Sequence, residues 1–150
     1  MPRMVDVGSK EVVRRVATAR GEIRLKRSTV GAVARGEIKK GDVVSASKLA
    51  GIQAAKATSS ILPLCHQIPL SAVSVAVVPK KDRIEVECTV SAEYRTGVEM
   101  EALVGATAAL LNVWDMVKYL EKDKDGQYPG TAISDVRVVR KTKGAEKDGS

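Results

Sequence analysis

Aromatic residues are nearly missing from this 150-residue chain, which has no phenylalanine, one tryptophan and three tyrosines. Proteins that bind single-stranded nucleic acid by stacking need several exposed rings on one surface, so this composition disfavours that class. Cysteine is also scarce: Cys65 and Cys88 cannot form a disulfide framework or a zinc site with four cysteine ligands. No secretory signal and no uncharged run of membrane-spanning length stands out. We therefore expect a soluble, cytoplasmic protein that makes no membrane contact.

Positive charge is in excess, with 25 lysines and arginines, 18 acidic residues and a net charge of +7. Such a balance favours an anionic partner, whether a nucleotide, a nucleic acid or an acidic membrane surface. The length suits one domain with its own core, so we expect a single domain over residues 1–150 with flexible ends at 1–10 and 142–150. Phosphate-loop, dinucleotide-binding and HExxH zinc motifs are absent, which removes the commonest nucleotide and metal signatures.

Strict alternation of apolar and polar residues over 83–94 predicts a strand with one buried face, and it places Cys88 in the core. The turn at 79–82 joins this strand to an alternating run at 71–77, which predicts a hairpin. Segment 131–139 is the candidate for a last strand. Segment 12–25 is either a first strand or a helix, and we favour the strand. Together with the intervening helices, this order predicts an α+β fold with a mainly antiparallel sheet packed against helices.

Three segments predict helices. The first covers residues 28–38 with Ser28 as its cap, and the second covers 45–58 with Leu49 and Ile52 facing inward. The third is a long helix that starts at a capping box of Thr96 and Glu99. From 102 to 120 this helix is apolar almost all round, so its second side also needs cover, which another copy of the chain could supply.

The only histidine, His66, follows Cys65 in "ILPLCHQIPL", a segment stiffened by two prolines. Prolines favour an extended backbone before them, and adjacent side chains of an extended chain point to opposite sides. That geometry disfavours a shared metal ion and a Cys–His nucleophilic pair. A lone histidine is more often an ordinary surface residue, whereas a stiff segment is suited to presenting a side chain to a ligand. Both interpretations remain open.

Asp115 and Lys118 interrupt the apolar helix three residues apart and so share a face. They are either a surface ion pair of small energy or an acid–base couple at the edge of a pocket. Glu101 lies fourteen residues before Asp115, on nearly the same side of the helix but roughly 20 Å away. One small ligand could touch both residues only if they came from different copies of the chain.

Four stretches, "KGDVVSASKLAGIQAAKATSSILPLCHQIPLS", "TGVEMEAL", "LLNVWDMVK" and "VRVVRKT", resemble the cyclic pyranopterin monophosphate synthase family of molybdenum cofactor biosynthesis, in a likeness running from Met4 to about Thr142. The resemblance implies a ferredoxin-like α+β fold and a homohexamer built from dimers, with active sites at subunit interfaces. It also implies a lyase that rearranges a cyclised guanosine triphosphate to the cyclic pterin monophosphate and releases pyrophosphate. No metal or redox cofactor is implied, except magnesium accompanying the triphosphate.

The resemblance also assigns site residues by matching motif. The catalytic residues are Asp115 and Lys118 in "DMVK" and Lys40 in "KGD". The substrate-binding residues are Leu64, Cys65 and His66 in "LCH", Glu99, Met100 and Glu101 in "GVEME", and Lys141 in "RKT".

Two departures from the family pattern bear on these assignments. Gln67 replaces the usual proline after the histidine, and the glycine-rich stretch after the last lysine is altered, so that Lys143 competes with Lys141. The alternative function, which rests on net charge alone, is a basic nucleic-acid-binding module without catalytic activity.

Overall fold

Four strands form one antiparallel sheet in the computed structural model, which describes residues 1–144. The strands are β1 (Val13–Arg24), β2 (Ala72–Pro79), β3 (Arg83–Tyr94) and β4 (Ala132–Lys143), in the order β2-β3-β1-β4. Helices α1 (Arg27–Ala34), α2 (Val43–Lys56) and α3 (Thr58–Ile61) connect β1 to β2, and α4 (Glu99–Glu121) connects β3 to β4. Apart from the extra helices, this is the βαββαβ order of a ferredoxin-like fold, so the predicted fold class is confirmed.

The central pair of strands, β1 and β3, provides the floor of the core. Every second residue of β3 from Ile84 to Ala92 is at most 1% exposed, as the alternation predicted. Cys88 belongs to this row, and burial raises the pKa of its thiol to about 11. The predicted hairpin is confirmed as well, because the Lys80 N–H donates to the Arg83 carbonyl across the turn between β2 and β3.

Small residues allow α4 to lie close to the sheet and to α2. A Cβ atom added at Gly105 of α4 would stand 2.6 Å from the Cys88 Sγ atom and 3.1 Å from the Gly51 carbonyl oxygen. Gly21 of β1 makes room in the same way for the end of the Leu110 side chain. The absence of side-chain volume at these positions therefore sets how closely the helix layer approaches the sheet.

The inner face of α2 is also built from small residues, since Val43, Ser47, Gly51 and Ala55 are its buried positions. Leu49 instead is 56% exposed, so the prediction that it faces inward was wrong. Because α2 and α4 pack closely, the side of α2 that carries small residues is buried, and the larger Leu49 side chain faces solvent.

The helix starts also differ from the predictions. Lys26, not Ser28, precedes α1, and Asp42 caps α2 by accepting a hydrogen bond from the Ser45 N–H. No side chain caps α4: Val98 is its N-cap residue, so the capping box of Thr96 and Glu99 does not form. The side chain of Glu99 instead pairs with a lysine of β4.

The edge strand β4 extends through Thr142 and Lys143, which pair with Val16 and Arg15 of β1. These two residues were predicted to belong to a flexible end, as was Gly144, whose N–H donates to the Arg14 carbonyl. The rest of that end, 145–150, lies outside the described residues. By length and composition α4 could span a membrane, but Glu101, Asp115 and Lys118 interrupt it, so it is not an uncharged run of that length. Half of its most apolar window is buried within the fold, which is the position of a core helix.

A buried carboxylate joins the carboxyl end of α4 to the rest of the fold. Glu121 is 1% exposed and accepts hydrogen bonds from the hydroxyls of Thr29 and Thr131 and from the Lys26 N–H. Its oxygens are thus satisfied by neutral donors. The contacts tie the start of α1 and the segment before β4 to the last turn of α4.

We expect Gly105→Ala to destabilise the protein by about 1–3 kcal/mol, because its methyl group would overlap Cys88 and the backbone at Gly51. Gly130→Ala is the matched control, since a Cβ atom there meets no atom of residues 1–144 within 4 Å. The free energy of unfolding in urea measures both changes. Equal stability of the two variants would contradict the claim that this helix approach is tightly constrained.

Candidate active site

Three charged residues gather near the carboxyl end of α4. Asp115 accepts hydrogen bonds from the Lys40 Nζ atom at 2.8 Å and contacts the Lys118 Nζ atom at 3.3 Å. Lys118 stands on the same helix, whereas Lys40 comes from the turn between α1 and α2. These three residues are named the aspartate cluster. The structure therefore brings together all three residues predicted to be catalytic.

The aspartate cluster is open to solvent, with side-chain exposures of 52% for Asp115, 49% for Lys40 and 44% for Lys118. The hydrogen bond from Lys40, and then that from Lys118, lower the pKa of Asp115 below its ordinary value. Exposed ion pairs add little to stability, so the fold does not depend on this arrangement. Chemically, it presents an ionised carboxylate between two ammonium groups, one proton acceptor beside two donors.

A second group of polar residues surrounds the amino end of α4. The Cys65 thiol lies 3.9 Å from the Glu101 Oε2 atom, and the Lys141 Nζ atom donates to the Glu99 Oε1 atom at 3.1 Å. These four residues are named the glutamate cluster. It unites four of the residues predicted to bind substrate, although they come from α4, from β4 and from the segment after α3.

Unlike the aspartate cluster, the glutamate cluster holds a buried carboxyl group. Glu101 is 3% exposed, and its pKa is raised, first because burial disfavours its charge and second because Glu99 is close. Glu99 itself has a lowered pKa: burial opposes its ionisation, but its own backbone N–H and Lys141 outweigh that effect. One oxygen of each carboxyl group is buried without a hydrogen-bond partner in residues 1–144. Buried polar atoms usually have a hydrogen-bond partner, so these two oxygens have unused capacity to accept one.

The thiol of Cys65 remains protonated near neutral pH. Burial raises its pKa, and the charges of Glu101 and Glu99 raise it further. A thiolate nucleophile requires the opposite environment, with positive charge nearby. The chemical role that suits this cysteine is that of a neutral contact in the wall of the site.

The segment that carries Cys65 differs locally from its prediction. Pro63 and Leu64 lie in a turn closed by the Cys65 N–H, which donates to the Leu62 carbonyl at 3.1 Å. The prediction of an extended backbone is therefore wrong at Pro63 and Leu64, because the chain turns back after α3. His66 follows the turn and is half-buried. In residues 1–144, no group of three or more histidine, cysteine or acidic side chains is placed to hold a metal ion.

Two residues predicted to bind substrate offer apolar surface. Leu64 is 45% exposed beside Cys65, and Met100 is 40% exposed between Glu99 and Glu101. Large apolar side chains that remain exposed next to a polar cluster are available to a flat ligand or to another protein surface.

Sequence reasoning missed Arg15 of β1. It is 7% exposed, donates to the carbonyl groups of Tyr94 and Arg95, and lowers the pKa of Glu99. A signal for it was present, since Arg15 has the same parity as the buried Ala17 and Ala19 of β1. A charged residue in phase with a core face requires buried partners.

The two clusters do not meet within one protomer. Both lie on α4, where fourteen residues between Glu101 and Asp115 correspond to about 21 Å of helix. His66 follows Cys65 and so belongs to the glutamate end, away from Asp115. One protomer therefore carries two separate clusters of different character.

Comparison with known proteins agrees with the motifs in both clusters. A model of the MoaC family matches residues 4–144. A protein of Thermococcus kodakarensis named "probable cyclic pyranopterin monophosphate synthase" is 54% identical, over 96% of this chain and 92% of its own length. One of Pyrococcus abyssi with the same name is 52% identical, over 94% and 89%. One of Methanothermobacter thermautotrophicus, named "probable cyclic pyranopterin monophosphate synthase accessory protein", is 52% identical over the same shares.

We expect Glu101→Gln to make the protein more stable at pH 8 by on the order of 1 kcal/mol, or about 2–4 °C in Tm. Folding raises the pKa of Glu101 above its ordinary value of 4.5. The wild type therefore loses stability as the pH rises from 4.5 through the raised pKa of the folded state. The difference should vanish below about pH 4, where both states are protonated. Glu87→Gln, at an exposed position of β3, is the control. A glutamine variant that is less stable at pH 8 would show that the carboxylate is needed for folding.

Proposed function

The chain belongs to the MoaC family, and from that premise we propose that it is a cyclic pyranopterin monophosphate synthase of molybdenum cofactor biosynthesis. Its substrate is the cyclised dihydroguanosine triphosphate, and its products are the cyclic pterin monophosphate and pyrophosphate. The relatives' names give no support to the nucleic-acid-binding alternative. We place the reaction in the cytoplasm and expect no cofactor other than magnesium accompanying the triphosphate.

The observation that carries the proposal is the aspartate cluster, where one ionised carboxylate contacts two lysines. Ring rearrangement and cyclic phosphate formation both need protons to be removed and returned, and a carboxylate beside ammonium groups provides an acceptor and donors together. The excess positive charge attracts the triphosphate and stabilises the negative charge on the departing pyrophosphate. We assign Asp115 as the base, with Lys118 and Lys40 as proton donors and phosphate contacts.

In this proposal, the glutamate cluster receives the heterocycle. A guanine-derived ring presents N–H donors, and the unpartnered buried oxygens of Glu99 and Glu101 are suitable acceptors. Leu64, Cys65, His66 and Met100 form the wall around it.

Lys141 is favoured over Lys143 as the phosphate contact at this end, because Lys141 already lies in the cluster against Glu99. Arg15 is a positioning residue whose charge lowers the pKa of Glu99 further, after the Glu99 backbone N–H and Lys141.

A complete site then requires two copies of the chain. Ala108 lies midway between Glu101 and Asp115 on α4, and all three residues lie within about 40° of one another around the helix. If two α4 helices cross antiparallel near Ala108, a two-fold axis brings Glu101 of one protomer beside Asp115 of its partner. The exposed Leu111 would be covered by the same contact. We therefore propose a dimer with two composite sites, assembled further into the hexamer that the family resemblance implies.

We expect Asp115→Ala and Lys118→Ala each to lower turnover by at least about a hundredfold, the usual range for loss of an acid or base. Both variants should keep the wild-type oligomer and Tm, because the cluster is exposed. Glu37→Ala removes an equally exposed ion pair with Arg35 and is the control. The assay incubates each variant with the cyclised triphosphate and detects the oxidised fluorescent derivative of the pterin. Normal turnover by both cluster variants would refute the assignment.

Mixing two inactive variants tests the composite site. Lys118→Ala lacks one half-site and Glu101→Ala the other, so a random hybrid dimer has one intact site of two. After joint refolding, we expect about a quarter of the wild-type activity, since roughly half of the dimers are hybrids. A mixture of Asp115→Ala with Lys118→Ala is the control and should stay inactive, because both changes lie in the same half-site. If the first mixture is as inactive as its parents, each site lies within one protomer.

A further inference from the structure

Lys40 belongs to the aspartate cluster but is distant in sequence from Asp115 and Lys118. It lies in a tight turn over residues 38–41. The Gly41 N–H donates to the Ile38 carbonyl at 3.0 Å, and Gly41 has a φ of 111°, a conformation that favours glycine. Lys39 and Lys40 are the two central residues of this turn. Closing the turn fixes its shape but leaves its placement relative to α4 to other contacts.

Tyr119 of α4 contacts this turn in two ways. Its hydroxyl oxygen accepts a hydrogen bond from the Lys39 N–H at 3.0 Å. Its ring lies under the Lys39 ammonium group, whose Nζ atom is 5.0 Å from the ring centroid, within the range of a cation–π contact. One tyrosine therefore engages both the backbone and the side chain of the residue before Lys40.

Asp115 and Tyr119 are four residues apart and so lie on one face of α4. The helix thus contacts the turn twice, through the Lys40 side chain at Asp115 and through the Lys39 backbone at Tyr119. We propose that Tyr119 is a positioning residue that fixes the Lys40 turn so that the Lys40 ammonium group is held against Asp115. Its consequence for catalysis rests on the proposed function, whereas its effect on the turn does not.

Two features explain why such a residue is needed. Lys40 and Asp115 are both about half exposed, and an exposed ion pair alone holds a flexible side chain weakly. The turn also offers two adjacent lysines to the same carboxylate. With the Lys39 ammonium group over the Tyr119 ring, Lys40 is the one directed at Asp115. Tyr119 thereby both anchors the turn and separates the roles of its two lysines.

Limited trypsin digestion of the full-length chain tests the effect on the turn. Tyr119→Phe keeps the ring but removes the hydroxyl acceptor, and we expect cleavage after Lys39 and Lys40 to become about two- to tenfold faster. The Lys80–Lys81 pair in the β2–β3 turn provides an internal control, because its cleavage rate should not change. Mass spectrometry of the fragments measures both rates.

Tyr128→Phe is the matched control variant. The ring of Tyr128 packs edge-on against Trp114, with 5.2 Å between ring centroids, and within residues 1–144 its hydroxyl has no hydrogen-bond partner. The Tyr128→Phe variant should show wild-type turnover and wild-type cleavage rates at both the Lys39–Lys40 and the Lys80–Lys81 sites. Cleavage after Lys39 and Lys40 that is equally fast in the wild type and Tyr119→Phe would overturn the inference.

Turnover of the same variants tests the consequence for catalysis. For Tyr119→Phe we expect kcat to fall about two- to tenfold with KM nearly unchanged. The acidic limb of its pH profile should move to higher pH, because a displaced Lys40 lowers the pKa of Asp115 less and leaves Lys118 as the remaining cation. If Lys40→Ala inactivates the protein but Tyr119→Phe keeps the wild-type kcat and pH profile, Tyr119 has no role in catalysis and that part of the inference is overturned. If the wild type is inactive but Tyr119→Phe still accelerates cleavage, the proposed function fails and the anchoring role stands.

Discussion

The close contact of α4 with the sheet and with α2 is the constraint on which the other features depend. It exists because Gly105 faces Cys88 and Gly51 with no side chain between them. A helix held along one side in this way keeps its direction and its register over its whole length. The positions of everything that α4 carries, including both charged clusters, are therefore set by packing in the core rather than by the charges themselves.

The two clusters on α4 have opposite electrostatic character. The aspartate cluster is exposed and has two cations for one anion. The glutamate cluster instead contains the buried Glu101 and, within residues 1–144, two buried carboxyl oxygens without hydrogen-bond partners. The pKa of Asp115 is lowered and that of Glu101 is raised accordingly. A substrate with a polyanionic end and a neutral ring rich in N–H donors matches this division. Because about 21 Å of one helix separates the clusters, a small ligand cannot contact both within a single protomer.

Charged residues in this protein divide into those that support the fold and those that leave it unaffected. Glu121 is buried, is fully satisfied by neutral donors and ties α1 and the segment before β4 to α4. Asp115 is exposed and pairs with flexible lysines, so its contacts contribute little to stability. Helical periodicity alone does not separate these two acids, which lie six residues apart on the same helix. Their surroundings differ, since hydroxyl and backbone N–H donors enclose Glu121 whereas Asp115 is half exposed to solvent.

Sequence by itself determined the strands, the long helix, the buried position of Cys88 and the spacing of Glu101 and Asp115, because each depends on a repeat between near neighbours. Family motifs named the residues of the two clusters, but they did not say which would meet. Tertiary structure decided that Lys40 joins Asp115, that Lys141 joins Glu99 and that Leu49 faces outward. The physical reason is that periodicity describes one element at a time. Burial and ion pairing arise only where the surfaces of different elements come into contact.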